Sequence, residues 1–179
     1  IKQLARWNKV YNLTAVRHPQ DMVTHHILDS LSVLPWLQGP RALDVGSGAG
    51  LPGIPLAVAR PEQQFYLLDS NAKRTRFMIQ MVAELGLSNV CVVRNRIEEY
   101  QPDFRFDCIT ARAYASIADL LIKAGQLCAT TGCILAMKGQ FPNAELEAIE
   151  NNNWSVAIYP VQIPELDAKR HIIRMTPIA

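Results

Sequence analysis

The segment Ala42-Leu43-Asp44-Val45-Gly46-Ser47-Gly48-Ala49-Gly50-Leu51-Pro52-Gly53 constrains the fold more than any other. A short apolar run ends in an acidic residue and a valine. The chain then turns on closely spaced glycines and re-enters an apolar, helix-compatible stretch. Glycine permits positive φ and lets another molecule approach the backbone. A strand, a glycine turn and a helix in succession are the signature of an open α/β sheet, where ligands bind at the carboxyl ends of the strands.

The rest of the chain repeats this alternation. Apolar periodicity predicts strands over 41–45, 64–69, 90–94, 106–111 and 132–138, with helices over 54–59, 71–85, 117–128 and 143–151. Gly86 is placed to stop the helix beginning near Asn71. Residues 1–37 read as helical, with a well-patterned helix over 20–37 and Pro19 in its first turn. Two further strands are expected over 154–161 and 171–176. The nine residues between them are too few for a crossover helix, so they read as an antiparallel pair at the sheet edge. The expectation is one α/β domain over 1–179, with 1–40 as a helical N-terminal extension.

Composition narrows the function classes. With 49% hydrophobic and 19% charged residues, the chain can bury a core unaided. Cys91, Cys108, Cys128 and Cys133 form no CxxC pair and lie mostly in apolar runs, which reads as buried thiols in a reducing compartment and no metal site. No apolar run reaches membrane-spanning length and no signal peptide is visible, so a cytoplasmic protein without membrane contact is expected. A monomer is the default. The net charge of +2 argues no polyanion partner by itself. Basic residues do gather at Lys73-Arg74-Arg76, at Arg94 and Arg96, and at Lys169-Arg170 with Arg174.

Two cofactor classes use a glycine turn of this kind. Dinucleotide enzymes want G-x-G-x-x-G/A, and here the third position is Leu51. The spacing G-x-G-x-G after Asp44 resembles instead the first motif of S-adenosylmethionine methyltransferases. There Gly46, Gly48 and Gly50 would admit the cofactor, and Asp44 would reach toward its amino-acid end. Asp69 ends the second strand, where it would accept ribose hydroxyls; alternatively it caps the following helix. Ile97 and Glu98 come after the third strand, where adenine would lie, although Glu98 also reads as a plain surface residue. A mostly parallel sheet closed by an antiparallel pair is the class I methyltransferase architecture, Rossmann-like, with seven strands preceded here by N-terminal helices. That step is fold-level analogy.

The residues after strand four narrow the acceptor. An Asn/Asp-Pro-Pro-aromatic run would mark a base-amine methylase, but the chain reads Thr110-Ala111-Arg112-Ala113. Cytosine C5 chemistry needs a cysteine on a Pro-Cys loop, whereas Cys108 lies within a strand. An acceptor with a free lone pair, such as guanine N7, needs no general base. Arg112 is placed to hold a phosphate or the guanine O6 edge, or else to pair with a nearby carboxylate.

Together with Trp7-Asn8, Tyr11-Asn12-Leu13-Thr14, His26-Ile27-Leu28-Asp29-Ser30, Leu68-Asp69-Ser70, Lys73-Arg74, Arg96-Ile97-Glu98, Ala111-Arg112-Ala113, Lys138-Gly139 and Arg170-His171, the glycine segment makes a longer pattern. In this pattern the chain resembles the bacterial small-subunit (16S) ribosomal RNA guanine-N7 methyltransferases, the glucose-inhibited division protein B family. The resemblance runs in order along nearly the whole chain. It implies S-adenosylmethionine as cofactor, S-adenosylhomocysteine as product, and 16S ribosomal RNA or the small ribosomal subunit as partner. It implies that Gly46, Leu51, Ile97, Glu98 and Arg112 contact the cofactor or frame its pocket. It makes Arg96, Arg112, Lys138, Arg170 and His26 candidates for positioning the substrate RNA, and places the face carrying His26 and Asp29 near the cleft; a buried hydrogen-bonded His26–Asp29 pair is the alternative. The family begins with a helical segment ahead of Trp7-Asn8, so a truncated N-terminus is expected here. A small-molecule methyltransferase, a non-catalytic RNA-binding module and a dinucleotide oxidoreductase are the competing readings at this point.

Overall fold

In the computed structural model, seven strands form one sheet in the order β3-β2-β1-β4-β5-β7-β6. The structure describes every residue except 115, 142, 148, 150–152 and 179. Strands β1 (Arg41–Val45), β2 (Gln64–Leu68), β3 (Val90–Val93), β4 (Phe106–Arg112) and β5 (Cys128–Lys138) run parallel. Strand β7 (Arg170–Pro177) pairs antiparallel with both β5 and β6 (Trp154–Val161), so the expected antiparallel pair closes the sheet with β6 outermost.

Alternation along the strands sorts side chains to two buried layers. Ala42, Phe65, Leu67, Cys108 and Cys133 join one cluster with Leu4, Met22, Leu56, Phe77 and Met78. Leu43, Val45, Leu68, Ile109 and Ile134 join the other with Ile117, Leu120 and Leu127. Strands covered on both faces need apolar residues at successive positions, which is why β1, β2 and β4 read as nearly unbroken apolar runs.

The helices obey local signals with instructive departures. Helix α5 (Ala72–Leu85) starts at Asn71, whose side chain accepts from the amides of Lys73 and Arg74, and stops at Gly86 in the left-handed conformation. Helix α1 (Lys2–Tyr11) ends at Asn12, φ 49°. The helix expected over 20–37 is shorter and irregular: α2 (Pro19–Met22) passes into a π-helical stretch over Val23–Leu28, then α3 (Asp29–Leu31). Pro35 has no amide to donate and its ring would crowd the carbonyl of Leu31, so the chain leaves the helix and makes a 3₁₀ turn over Leu34–Trp36. Helix α6 (Ile117–Ala124) stops short of Cys128, because Cys128 is already paired with Phe106 as the first residue of β5. Strand β5 therefore starts four residues before the expected Gly132, across a shift in register with β4. Helix α7 covers Asn143–Glu147, and most of the remainder of the helix expected to 151 lies outside the described residues. No helix among the described residues is long and apolar enough to cross a membrane.

Helix α4 (Gly53–Ala59) matters most, because it begins where the glycine turn ends. Its last carbonyls need partners. The buried amide of Asn89, just before β3, donates to the carbonyls of Ala57 and Arg60 and also to Gln63, at 3.0–3.1 Å. Asn89→Ala removes this shared donor, leaving the Arg60 carbonyl with the Gln63 amide alone, and should cost about 1–3 kcal/mol. Urea unfolding checks this, and an unchanged midpoint would show that the amide is not what fixes the helix.

Candidate functional site

The turn after β1 is built from the backbone outward. Gly46, Gly48 and Gly50 all take positive φ, at 66°, 59° and 73°. The amides of Gly46 and Ser47 donate to the carbonyl of Leu68 at 2.8 and 3.1 Å, which ties the turn to the end of β2. Beneath it lies Asp44, 1% exposed. One carboxylate oxygen accepts the Gly53 amide at 3.0 Å and the other accepts the Thr110 hydroxyl at 3.1 Å. Ser47 Oγ donates to the Asp44 carbonyl at 2.8 Å. Gly53 admits no side chain: a Cβ there would overlap Leu67 and lie 2.8 Å from the Asp44 carboxylate. Burial lifts the Asp44 carboxyl to about 6, against the pull of these hydrogen bonds and of Arg112.

Above the turn, the carboxyl ends of β1, β2 and β4 and the loop after β3 enclose a cleft of about 310 Å³. This is at the lower end of the range for small-molecule sites, roughly 300–1,000 Å³. Gly46, Asp69, Arg96, Ile97, Glu98 and Arg112 are on its walls, together with Tyr114 and Lys123. Asp69 is 5% exposed and accepts the Gly48 amide at 2.9 Å and the Asn71 amide at 2.8 Å, with Arg74 at 3.5 Å. It therefore couples the turn to the start of α5, and its position also faces the cleft. Buried Ile97 supplies an apolar wall. Glu98 is bridged by Lys123 at 2.9 Å, and that hydrogen bond holds its carboxyl below the usual range.

A second polar cluster adjoins the Arg112 end. Asp29, 4% exposed, accepts Arg112 Nη1 at 3.1 Å on one oxygen and Arg170 Nε at 2.8 Å on the other. Arg112 Nη1 also donates to the carbonyl of His25, in the π-helical stretch, at 3.2 Å. His26 does not pair with Asp29. Its Nδ1 lies 2.9 Å from the His25 carbonyl and its Nε2 2.8 Å from Thr14 Oγ1. A carbonyl can only accept, so Nδ1 carries the proton and Nε2 accepts from the threonine. Burial and then the Arg112 charge lower the pKa of this imidazole, in keeping with a neutral ring.

The structure thus gathers six of the candidate cofactor and substrate residues on one cleft, with Arg74 of the basic cluster beside them, and places the other candidates elsewhere. Asp44 is turned under the loop with both oxygens engaged, because it shares the strand face of buried Ala42. Leu51 points into an apolar hollow on the other side of the turn, against Leu4, Ile54 and Phe77. Gly48 and Gly50 shape the turn without lining the cleft, Gly50 lying against Ile54. His26 is likewise off the cleft walls. Lys138 is bridged to Glu145 of α7 at 2.9 Å, and Glu145 also accepts the Ile117 amide that opens α6. Arg170 meets Arg112 only through Asp29. Tyr114 and Lys123 were not expected. Tyr114 comes directly after Arg112-Ala113 and its ring lies 3.4 Å from where a Gly46 side chain would be; Lys123 arrives from α6, whose approach to Glu98 no local pattern encodes.

A profile described as GidB, rRNA small subunit methyltransferase G, matches residues 1–173. Ribosomal RNA small subunit methyltransferase G of Nitrosococcus oceani is 51% identical over 177 residues, covering 99% of this chain and 83% of the relative. The same protein of Aeromonas salmonicida is 48% identical, covering 99% and 86%. Among solved structures, a SAM-dependent methyltransferase from Aquifex aeolicus superposes with TM-score 0.67 at 18% identity, over 92% of this chain and 96% of that one. A ribosomal protein L11 methylase from Lactobacillus delbrueckii superposes with TM-score 0.65 at 16% identity, over 85% and 77%. These two likenesses concern the fold.

Asp44 makes stability depend on pH. Its folded carboxyl titrates at about 6, above the ordinary 3.8, so the folded chain keeps a proton that the unfolded chain loses in between. Stability is then full below the lower value and falls as pH rises through the upper one, by about 3 kcal/mol at 1.36 per tenfold. Asp44→Asn removes this titration. Its stability relative to the parent should rise between about pH 4 and about pH 7 by up to that amount. Chemical denaturation across that range measures it, and a pH-independent difference would mean that Asp44 is not buried as a neutral acid.

Proposed function

We infer the reaction from one premise: the chain belongs to the rRNA small subunit methyltransferase G family. It is an S-adenosylmethionine-dependent methyltransferase of small-subunit (16S) ribosomal RNA. The acceptor atom is N7 of a guanine. The observation that carries this assignment is that the carboxylates on the cleft walls are already engaged, Asp69 by the Gly48 and Asn71 amides and Glu98 by Lys123. Tyr114 is a further acid–base group on these walls, and burial raises its phenol, so it keeps its proton and does not serve as a base. Guanine N7 already offers a lone pair, whereas an exocyclic amine or a ribose hydroxyl must lose a proton during transfer.

The cleft suits the cofactor. A carboxylate has about four acceptor positions, and Asp69 uses only part of them, so its outer side remains able to accept hydroxyls. Ile97 offers an apolar face for a base, and Glu98 stands beside it. Gly46 leaves its backbone bare on the cleft wall, where a side chain would lie against the Tyr114 ring. When bound, the cofactor supplies a methyl group activated by a positively charged sulfur. The chain contributes proximity, alignment and exclusion of water. Arg112 stands at the cleft end nearest the Asp29 cluster, where its guanidinium can meet a phosphate or the O6 edge of the guanine.

Labelled cofactor with small subunits from cells lacking the activity should give 7-methylguanosine in the 16S RNA. Label in another nucleoside would refute N7. The single-turnover rate should be flat from about pH 6.5 to 9, since no base has to ionise; a rising limb would reveal one. Arg112→Ala should lower kcat/KM about a hundredfold through lost alignment, and wild-type turnover would remove Arg112 from the site.

A further inference from the structure

Arg112 comes from the end of β4 and Arg170 from the start of β7, strands separated in the sheet by β5. Two guanidiniums drawn together repel unless an anion stands between them. The anion is Asp29, which belongs to neither strand and is supplied by the short helix α3 directly after the π-helical stretch. Its two oxygens are divided, one to each arginine. Each guanidinium is also fixed by a main-chain carbonyl, Arg112 by His25 at 3.2 Å and Arg170 by Lys169 at 2.9 Å. These contacts use Nη1 of Arg112 and Nε and Nη1 of Arg170; among the described residues, Nη2 of both arginines has no hydrogen-bond acceptor. The side chains of the two arginines keep 20% and 23% exposure while Asp29 keeps 5%, so the anion is hidden and the cations face outward.

We propose that Asp29 is a positioning residue for methyl transfer, holding Arg112 and Arg170 as one rigid fork at the end of the cleft that grips a single phosphodiester group of the RNA. The inference rests on the RNA-methylating function proposed for the cleft. The triad carries a net charge of one, matched to one phosphate. Five donors per guanidinium in a fixed plane allow each arginine to bind the carboxylate on one side and an RNA oxygen on another. Fixing the phosphate fixes the nucleotide attached to it, and with it the angle at which N7 meets the methyl group.

Positioning and affinity separate in the variants. Asp29→Asn keeps the shape and removes the neutralising charge. The two arginines then act on RNA as two independent cations. Binding of unmethylated small subunits, measured without cofactor, should stay as tight as wild type or tighten. The slope of log K against log salt should steepen by about 0.7–0.9, one additional phosphate contact. In the same variant kcat should fall about tenfold or more, with cofactor affinity unchanged. Arg170→Lys, at the exposed rim, keeps the charge and loses the fork; it should lower kcat with the salt slope unaltered, and it tests the idea should Asp29→Asn fail to fold. Full kcat in a folded Asp29→Asn or in Arg170→Lys would overturn the proposal. So would parallel loss of subunit and cofactor binding, which marks a merely structural carboxylate. If wild type binds cofactor but does not methylate small subunits, the RNA reading fails and this proposal with it; wild-type methylation alongside a fully active Asp29→Asn defeats this proposal alone.

Discussion

The site depends on a carboxylate that never meets solvent. Asp44 ties three segments together through one carboxylate: the end of β1, the first amide of α4 and the Thr110 hydroxyl of β4. The glycine turn is thereby pinned from below, while Asp69 pins it from the β2 side through the Gly48 amide. A turn held at both ends keeps its backbone open toward the cleft without help from the ligand, so the geometry exists before binding. The cost is electrostatic. Burial favours the neutral acid and pushes its titration to about 6.

Asp29 repeats this logic at the other end of the cleft, with cations in place of amides. Both carboxylates are almost fully buried; Asp44 holds the equally buried Gly53 amide and Thr110 hydroxyl, whereas the two arginines held by Asp29 keep part of their surface in solvent. At Asp29 the buried anion sets the geometry and the exposed arginines face the ligand side. Breaking such a pair costs more than forming it gained, because the surviving charge is left without a partner. The N-terminal helices are accordingly part of the site: α3 brings Asp29, and the π-helical stretch before it presents the His25 carbonyl to Arg112.

Much of this could be read from the residues in order. The α/β alternation, the turn, the antiparallel closing pair, the strand-end residues Asp69 and Arg112 and the position of Ile97 after β3 all come from periodicity and from the rule that ligands meet strands at their carboxyl ends. Local pattern could not supply direction and partnership. The spacing G-x-G-x-G marks a turn but does not say which side Leu51 faces, and the turn sends it to the apolar layer. Asp44 looks ligand-facing by motif and is inward-facing by strand alternation with Ala42. His26 and Asp29 share a face in a regular α-helix; the π-helical turn between them separates their tasks. Lys138 is as basic as Arg170, yet a glutamate seven residues on claims it. The contacts of Asp29 span 83 and 141 residues, which no window of sequence contains.

The most direct measurement is a crystal structure of the protein with S-adenosylhomocysteine. Density is expected in the cleft lined by Gly46, Asp69 and Ile97, with the ribose against Asp69, the adenine against Ile97, and Asp44 still beneath the loop and out of contact. Density instead in the apolar hollow beside Leu51, or direct contact between Asp44 and the ligand, would contradict a turn that is pinned from below and open toward the cleft.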